Sequence, residues 1–241
     1  MLEAQDARRQ VARLIELMGA PIGARVLDVA CGQGRHATLL AEAGYEVDAV
    51  DQSAHLIARG KKLRGDVSAG RVRFQRCDMR RLPPRWTGRF DVVLNLATSF
   101  GFFRDAADDA RAVAEMARVL APGGTLIWHG ASRDGVMARF VASDWWPTSD
   151  GSMIGHRRQI DLLSGVLTVE STRAGKAGTD VRSYTIRLYT ATRLAEMLAA
   201  AGLVVVEALS GWSDRPLGRR SGEMLLVARR LDELPRVGRS K

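Results

Sequence analysis

Apolar positions in the first half of the chain switch repeatedly between helical spacing and continuous short runs, and each switch marks an element. Val11, Leu14, Ile15 and Met18 recur at helical spacing, which predicts an amphipathic helix over residues 4–18, ended by Pro21 and Gly23. Residues 25–30 form an apolar run of the kind found in strands covered on both faces, and it stops abruptly in Cys31-Gly32-Gln33-Gly34. Helical spacing returns over 37–43 and closes at Gly44, a C-terminal cap. A second strand at 46–51 ends in Asp51, and Ser53 caps a helix that reaches Leu63. Residues 72–76 and 90–94 read as the third and fourth strands. Val113, Met116, Ala117 and Leu120 place the next helix, and Pro122-Gly123-Gly124 turns the chain into a fifth strand at 125–129.

After His129 the rhythm changes. Residues 134–142 read as a short helix broken by Trp145-Trp146-Pro147. Three β-rich runs follow, at 154–161, 166–171 and 181–189, and their glycine-bearing separators suit antiparallel hairpins better than further crossover units. Leu194, Met197, Leu198 and Ala201 restore the helical period, and strands at 204–209 and 224–227 complete the pattern. Strands alternating with helices predict an α/β fold with a Rossmann-like, mostly parallel sheet, helices on both faces and a small antiparallel insert after the fifth strand. Right-handed crossovers set the strand ends along one edge, where such sheets bind ligands. The chain divides into an N-terminal helix (1–24), a core (25–132), a helix plus insert (133–190), a terminal helix and strands (191–231) and a basic tail (232–241), all within one domain.

Composition adds little to this. With 46% hydrophobic and 26% charged residues it is ordinary for a globular protein. The formal charge of +9 comes from scattered arginines, which favours solvated faces over a nucleic-acid surface. Cys31 and Cys77 stand apart with no metal-ligand spacing, so neither a disulfide framework, a zinc site nor any other metal is expected. No run approaches the roughly 20 apolar residues of a membrane span. No signal-like segment opens the chain, and a cytoplasmic protein without membrane partners is expected. The sequence leaves a homodimer open.

The chemistry concentrates at the first glycine turn. Gly32 and Gly34 allow close backbone approach to a ligand at the start of a helix. Gly32-Gln33-Gly34-Arg35-His36-Ala37 also fits the dinucleotide fingerprint. Asp28 inside the preceding strand, Asp78 after the third strand and the Pro-Gly-Gly turn before the fifth are features that nicotinamide sites do not need. Asp51, seventeen residues beyond Gly34, stands at a strand tip where an acid can accept both hydroxyls of a ribose.

With these residues, Asp28 to Gly34 and the strand-end acids, the chain resembles the class I S-adenosylmethionine-dependent methyltransferases, with Ala30 where their motif has its first glycine. The resemblance implies S-adenosyl-L-methionine as cofactor. Gly32 and Gly34 would pass close to its methionine part, beside Ala30, and Asp28 would help to hold its ammonium group. Arg35 would face its carboxylate or solvent. Asp51, with Gln52 beside it, would take the ribose, Asp78 and Met79 the adenine, and Asn95 and Ala97 would supply contacts near the sulfonium. The segments 31–37, 99–103 and 187–190 further resemble a small-molecule branch that includes natural-product and sugar N-methyltransferases, in which an antiparallel insert covers the acceptor.

Methyl transfer from a sulfonium is an in-line displacement that depends on positioning and on exclusion of water. A base is needed only for a nucleophile that arrives protonated, and His129, Tyr184 and Tyr189 are the candidates. Trp145 and Trp146 would line an apolar acceptor pocket opposite Ser99, Phe100, Phe102 and Phe103, with Trp212 nearby and with Arg187 and Arg219-Arg220 able to face an acidic acceptor. The expected activity is methylation of a small molecule at nitrogen, oxygen or carbon. The alternatives are an RNA methyltransferase, with nucleic acid as partner, and a cofactor-binding subunit without catalysis.

Overall fold

Two sheets organise the chain, described here over residues 2–64, 71–176 and 178–231 of a computed structural model. The predicted tail at 232–241 lies outside the described residues. Seven strands form the larger sheet in the order β10-β11-β5-β4-β1-β2-β3. They are β1 (Arg25–Val29), β2 (Glu46–Asp51), β3 (Val72–Arg76), β4 (Phe90–Asn95), β5 (Leu120–Ala131), β10 (Leu203–Leu209) and β11 (Glu223–Arg230). Neighbours β1, β2, β3, β4 and β5 pair in parallel, whereas β11 runs antiparallel to both β5 and β10.

Strand side chains alternate between faces, and the core divides accordingly. Val26, Val92, Leu94 and Ile127 face α1 (Leu2–Met18), α2 (Arg35–Glu42) and α3 (Ala54–Leu63), packing with Leu14, Leu40 and Ile57. Leu27, Val29, Val93 and Leu126 face the opposite way, against Met116 of α4 (Ala106–Val119) and Leu194 and Leu198 of α6 (Ala191–Ala200). Helices therefore cover both faces, as the uninterrupted apolar strands require. Ser53, Asp105 and Thr190 cap α3, α4 and α6 with side-chain oxygens that accept from the first turn.

The insert differs from its sequence reading in extent. The helix after β5 is α5 (Arg133–Ala138), shorter than expected, and Trp145-Trp146-Pro147 is no break: it forms the edge strand β6 (Ser143–Pro147). Pro147 is the last residue of that edge strand, where a missing N–H costs nothing. With β7 (Met153–Ile160), β8 (Val166–Gly175) and β9 (Gly178–Arg187) it makes a four-stranded antiparallel sheet. Leu167, Val169 and Ile186 of this sheet, with Leu188 just past its last strand, pack on Val136 and Phe140, at and just beyond α5. Arg187 N–H donates to the Gly101 carbonyl at 2.7 Å, fastening the insert to the loop after β4. A Cβ on Gly101 would stand 2.3 Å from the Arg187 carbonyl oxygen, so only glycine permits that contact.

Candidate active site

Strand register brings the chemistry together. Val29 lies opposite Val50 on one side and Asn95 on the other, and Asn95 lies opposite Trp128. The next residues along these strands, Asp51, Ala30, Leu96 and His129, therefore share one level at the C-terminal edge of the sheet. Backbone strain gathers at the same edge. Among the described residues, the positive-φ positions other than glycine are Ala30 (59°), Ala97 (57°) and Thr98 (58°), two adjoining turns after β1 and β4. Left-handed backbone costs a side-chain-bearing residue of order 1 kcal/mol or more, and it persists where neighbours hold it.

His129 holds the second of these turns. Its Nδ1 accepts from the Ala97 N–H at 3.3 Å and its carbonyl accepts from the Thr98 N–H, so Nε2 carries the ring proton toward Glu223 at 3.3 Å. The ring is 4% exposed and tilts against Trp212 at 4.6 Å. With Nδ1 occupied, His129 has no free lone pair for an acceptor's proton. Asn95 is fully buried and donates from Nδ2 to the Val29 carbonyl, tying β4 to β1. Ser99 donates to the Leu96 carbonyl at 2.6 Å.

A cavity of about 410 Å³ opens over this edge, lined by Ala30, Gly32, Asp51, Gln52, Asp78, Met79 and Ser99 from the sequence-derived set. A Cβ added at Gly32 would meet nothing within 4 Å, so the space beside that glycine is free for a ligand. Gly34 has a different reason to be glycine: it caps α2 at φ 77°, and a Cβ there would stand 2.3 Å from the Phe74 ring. Asp51 is buried, and its two oxygens accept from the Gly32 N–H (2.9 Å) and the Ser53 N–H (2.8 Å). Lone pairs remain on both for a diol. Asp28 is 2% exposed, and its Oδ2 has no hydrogen-bond partner. Burial, and then the neighbouring Asp51 charge, push its carboxyl up to about 7. A buried carboxylate oxygen left unpaired is costly, and a ligand ammonium would satisfy it. These features fit S-adenosylmethionine, with Asp28 at its amino-acid end and Asp51 at its ribose. Arg35 is exposed at the start of α2.

Around Asp78 the geometry adds Arg80 to the site. Asp78 is gripped by Arg80, whose Nη2 reaches Oδ2 at 2.6 Å and whose own N–H reaches Oδ1 at 2.9 Å. That pairing holds the Asp78 carboxyl below its ordinary range. Arg80 also donates to Asp108 and lies 4.5 Å over the Phe103 ring. The Asp78 carboxylate is thus largely committed inside the protein, and Met79, Leu56 and Phe103 supply apolar wall. Nothing in the sequence spacing announces the pairing, because it depends on the tight turn at 78–80.

Phe102 lines this cavity and a second one of about 460 Å³, which also has Thr98, Leu167, Tyr184, Ile186 and Leu188 in its wall. No charged side chain is among its lining residues. Tyr184 sits there with its ring 6.2 Å from Phe102. The other acceptor candidates lie elsewhere. Trp145 and Trp146 line neither cavity: Trp145 covers Gly155 on the outer edge of the insert, and Trp146 meets His156 edge-on at 4.7 Å. Phe100 is buried against Trp128 and Tyr189. Arg187 pairs at 2.6 Å with Asp109, which also accepts from the Tyr189 hydroxyl at 2.8 Å. Burial and that carboxylate raise the Tyr189 phenol, which stays a donor rather than a base. Trp212 stands on the other side of the site, between His129 and His36. Burial, with Arg35 second, lowers His36 to about 3, so it is neutral, and its Nε2 meets Gln10 at 2.7 Å.

Comparison with known proteins gives one family match, a curated relative and two solved structures. Residues 26–124 match a methyltransferase domain family. A demethylmenaquinone methyltransferase of Beutenbergia cavernae is 35% identical over 133 residues, 55% of this chain and 48% of that protein. The chain thus spans about half the length of the curated relatives it matches. Among solved structures, the methyltransferase CcbJ of Streptomyces caelestis superposes with a TM-score of 0.83 over 94% of this chain and 90% of its own, at 20% identity, which establishes the fold. CalS10, an amino pentose methyltransferase of Micromonospora echinaspora solved with S-adenosylmethionine bound, is 26% identical over 95% of this chain and 90% of its own, with a TM-score of 0.67.

Proposed function

We propose that the protein, whose residues 26–124 match a methyltransferase domain family, moves a methyl group from S-adenosylmethionine to a small molecule whose reacting end is apolar and uncharged. The observation that carries the reading is Asp28: a buried carboxylate with an unpartnered oxygen, directly before the turn where Gly32 leaves open space. When bound, the cofactor supplies an electrophilic methyl on a sulfonium. Asp28 binds its ammonium group, Asp51 its ribose hydroxyls, and Met79, Leu56 and Phe103 pack against its base.

The acceptor takes the second cavity. Phe102 stands between the two spaces and orients what enters each, and the insert residues Leu167, Ile186 and Leu188 keep water out. Ala97 and Thr98, held left-handed by His129, form the floor over which the two molecules meet. In this account His129 is a positioning residue. Tyr184 is the titratable side chain lining the cavity, and its hydroxyl accepts or relays a proton when the nucleophile carries one. A neutral amine needs no such help. Part of the positive charge that leaves an RNA reading open is spent within the protein, since Arg80 pairs with Asp78 and Asp108, and Arg158 with Asp144.

Calorimetric titration tests the cofactor assignment. S-adenosylhomocysteine is expected to bind at one site per chain, and Asp51→Ala to weaken it about tenfold or more, equivalent to about 1.4 kcal/mol. A wild-type chain that binds neither S-adenosylmethionine nor S-adenosylhomocysteine refutes the proposal.

A further inference from the structure

A third cavity, of about 680 Å³, opens beside the β10–β11 connection and is predominantly basic. Arg9, Arg139, Arg215 and Arg220 line it, with Trp212 as an aromatic wall and Glu223 as its one carboxylate. Glu223 is engaged by His129, and Arg9 pairs with Asp6 at 3.0 Å. Among the described residues, Arg139, Arg215 and Arg220 have no carboxylate within ion-pair distance, whereas Arg73, Arg80, Arg118, Arg158 and Arg187 elsewhere in the insert and core do. Guanidinium groups repel one another when brought around a single space, and the arrangement is favourable when an oxyanion occupies it, accepting charge-assisted hydrogen bonds from several of them.

The basic cavity shares no lining residue with the apolar one, but neighbouring positions of one helix and one strand pair line the two. Val136 of α5 lines the apolar cavity, and Arg139, the residue that ends α5, lines the basic one. Ala131 lines the apolar cavity, and its register partner Glu223 lines the basic one, so the two walls are about 5 Å apart at the backbone. The division of chemistry is sharp: one space has no charged side chain, and the other has four cations and one carboxylate.

We propose that the basic cavity binds the anionic end, a phosphate or carboxylate group, of the same molecule whose reacting end occupies the apolar cavity. The inference rests on the methyltransferase reading for the identity of that molecule, and on the arginine cluster alone for its charge. Arg139 and Arg220 grip the oxyanion. Trp212, fixed between His129 and His36, offers a flat edge to the part of the molecule that joins the two ends.

Two readouts on the full chain test this. In the first, pyrophosphate is titrated at low salt into wild type and into the double variant Arg139→Gln, Arg220→Gln. Binding is expected to weaken about tenfold or more in the variant, equivalent to about 1.4 kcal/mol, while S-adenosylhomocysteine affinity stays within about twofold. Equal pyrophosphate affinity in the two proteins overturns the proposal. In the second, methyl-labelled product made from a small-metabolite pool is passed over an anion exchanger. Retention is expected: loss of retention after phosphatase marks a phosphate ester, and unchanged retention marks a carboxylate. A labelled product that flows through uncharged overturns the proposal. A chain that binds no S-adenosylhomocysteine and transfers no label instead refutes the methyltransferase reading, and the pyrophosphate titration still decides the charge of the cavity.

Discussion

Asp28→Asn removes a charge that the folded chain holds at a cost and that the cofactor needs, so stability and binding should move in opposite directions. The carboxyl sits 2% exposed with one unpartnered oxygen, and burial raises its pKa from 3.8 to about 7. Below about pH 4 the group is protonated in both folded and unfolded chains, and its charge contributes nothing. Between about pH 4 and 7 only the unfolded chain releases the proton, so stability declines as pH rises, and above 7 the full penalty applies. A rise of about 3 pKa units is worth at most ~4 kcal/mol. That ceiling assumes no relaxation of the surroundings, and roughly half of it, ~2 kcal/mol, is the working expectation. For a chain of this size ~2 kcal/mol raises the melting temperature by about 4–8 °C. Scanning calorimetry should show that gain for Asp28→Asn at pH 8 and none at pH 4. Titration of S-adenosylmethionine should show the reverse, a loss of about tenfold or more, because the amide cannot pair with an ammonium group. In wild type, affinity should fall by about tenfold per pH unit below 7 as Asp28 takes up its proton. A variant that melts no higher at pH 8 and binds the cofactor as wild type does would refute the reasoning on both counts.

Four further outcomes follow from the same geometry. Gly34→Val should destabilise the fold itself, by about 3 kcal/mol or more, because its Cβ stands within 2.3 Å of Phe74 at a positive φ; urea unfolding measures it. Gly32→Ala should cost only about 1 kcal/mol of stability, since its Cβ enters open space, yet lower cofactor affinity in calorimetry. Asp51→Ala is not neutral to the fold, as strand-tip position alone suggests, because it strands the Gly32 and Ser53 N–H groups: a loss of about 1–3 kcal/mol should accompany the loss of binding. Phe102→Ala should raise the acceptor KM about tenfold, whereas Trp145→Ala should leave it within about twofold, and steady-state kinetics with any accepted substrate separates them.

The parallel core was legible because its strands are apolar throughout and its helices keep a clean period. Each of β1 to β4 appears within a residue of its expected bounds, and the acids at their ends fall on the edge that register requires. The insert was less legible. Trp145-Trp146-Pro147 reads as a break in any window, and only pairing with β7 makes it a strand. Side-chain commitments were the least legible of all. Asp78 looks free until the turn folds Arg80 onto it, Arg187 looks available until Asp109 is found buried beneath it, and His129 looks like a base until both ring nitrogens find partners. These are contacts between residues close in space but unconstrained by any period. The apolar cavity escaped for the same reason: Thr98, Leu167 and Ile186 are unremarkable one at a time and meet only when the insert folds over the β4 turn.

The most direct test of the account is transfer of labelled methyl from S-adenosylmethionine, with the chain incubated against separate small-metabolite, RNA and protein fractions. Label is predicted in the small-metabolite fraction. Label in RNA alone, or tight cofactor binding with no label in any fraction, would contradict it.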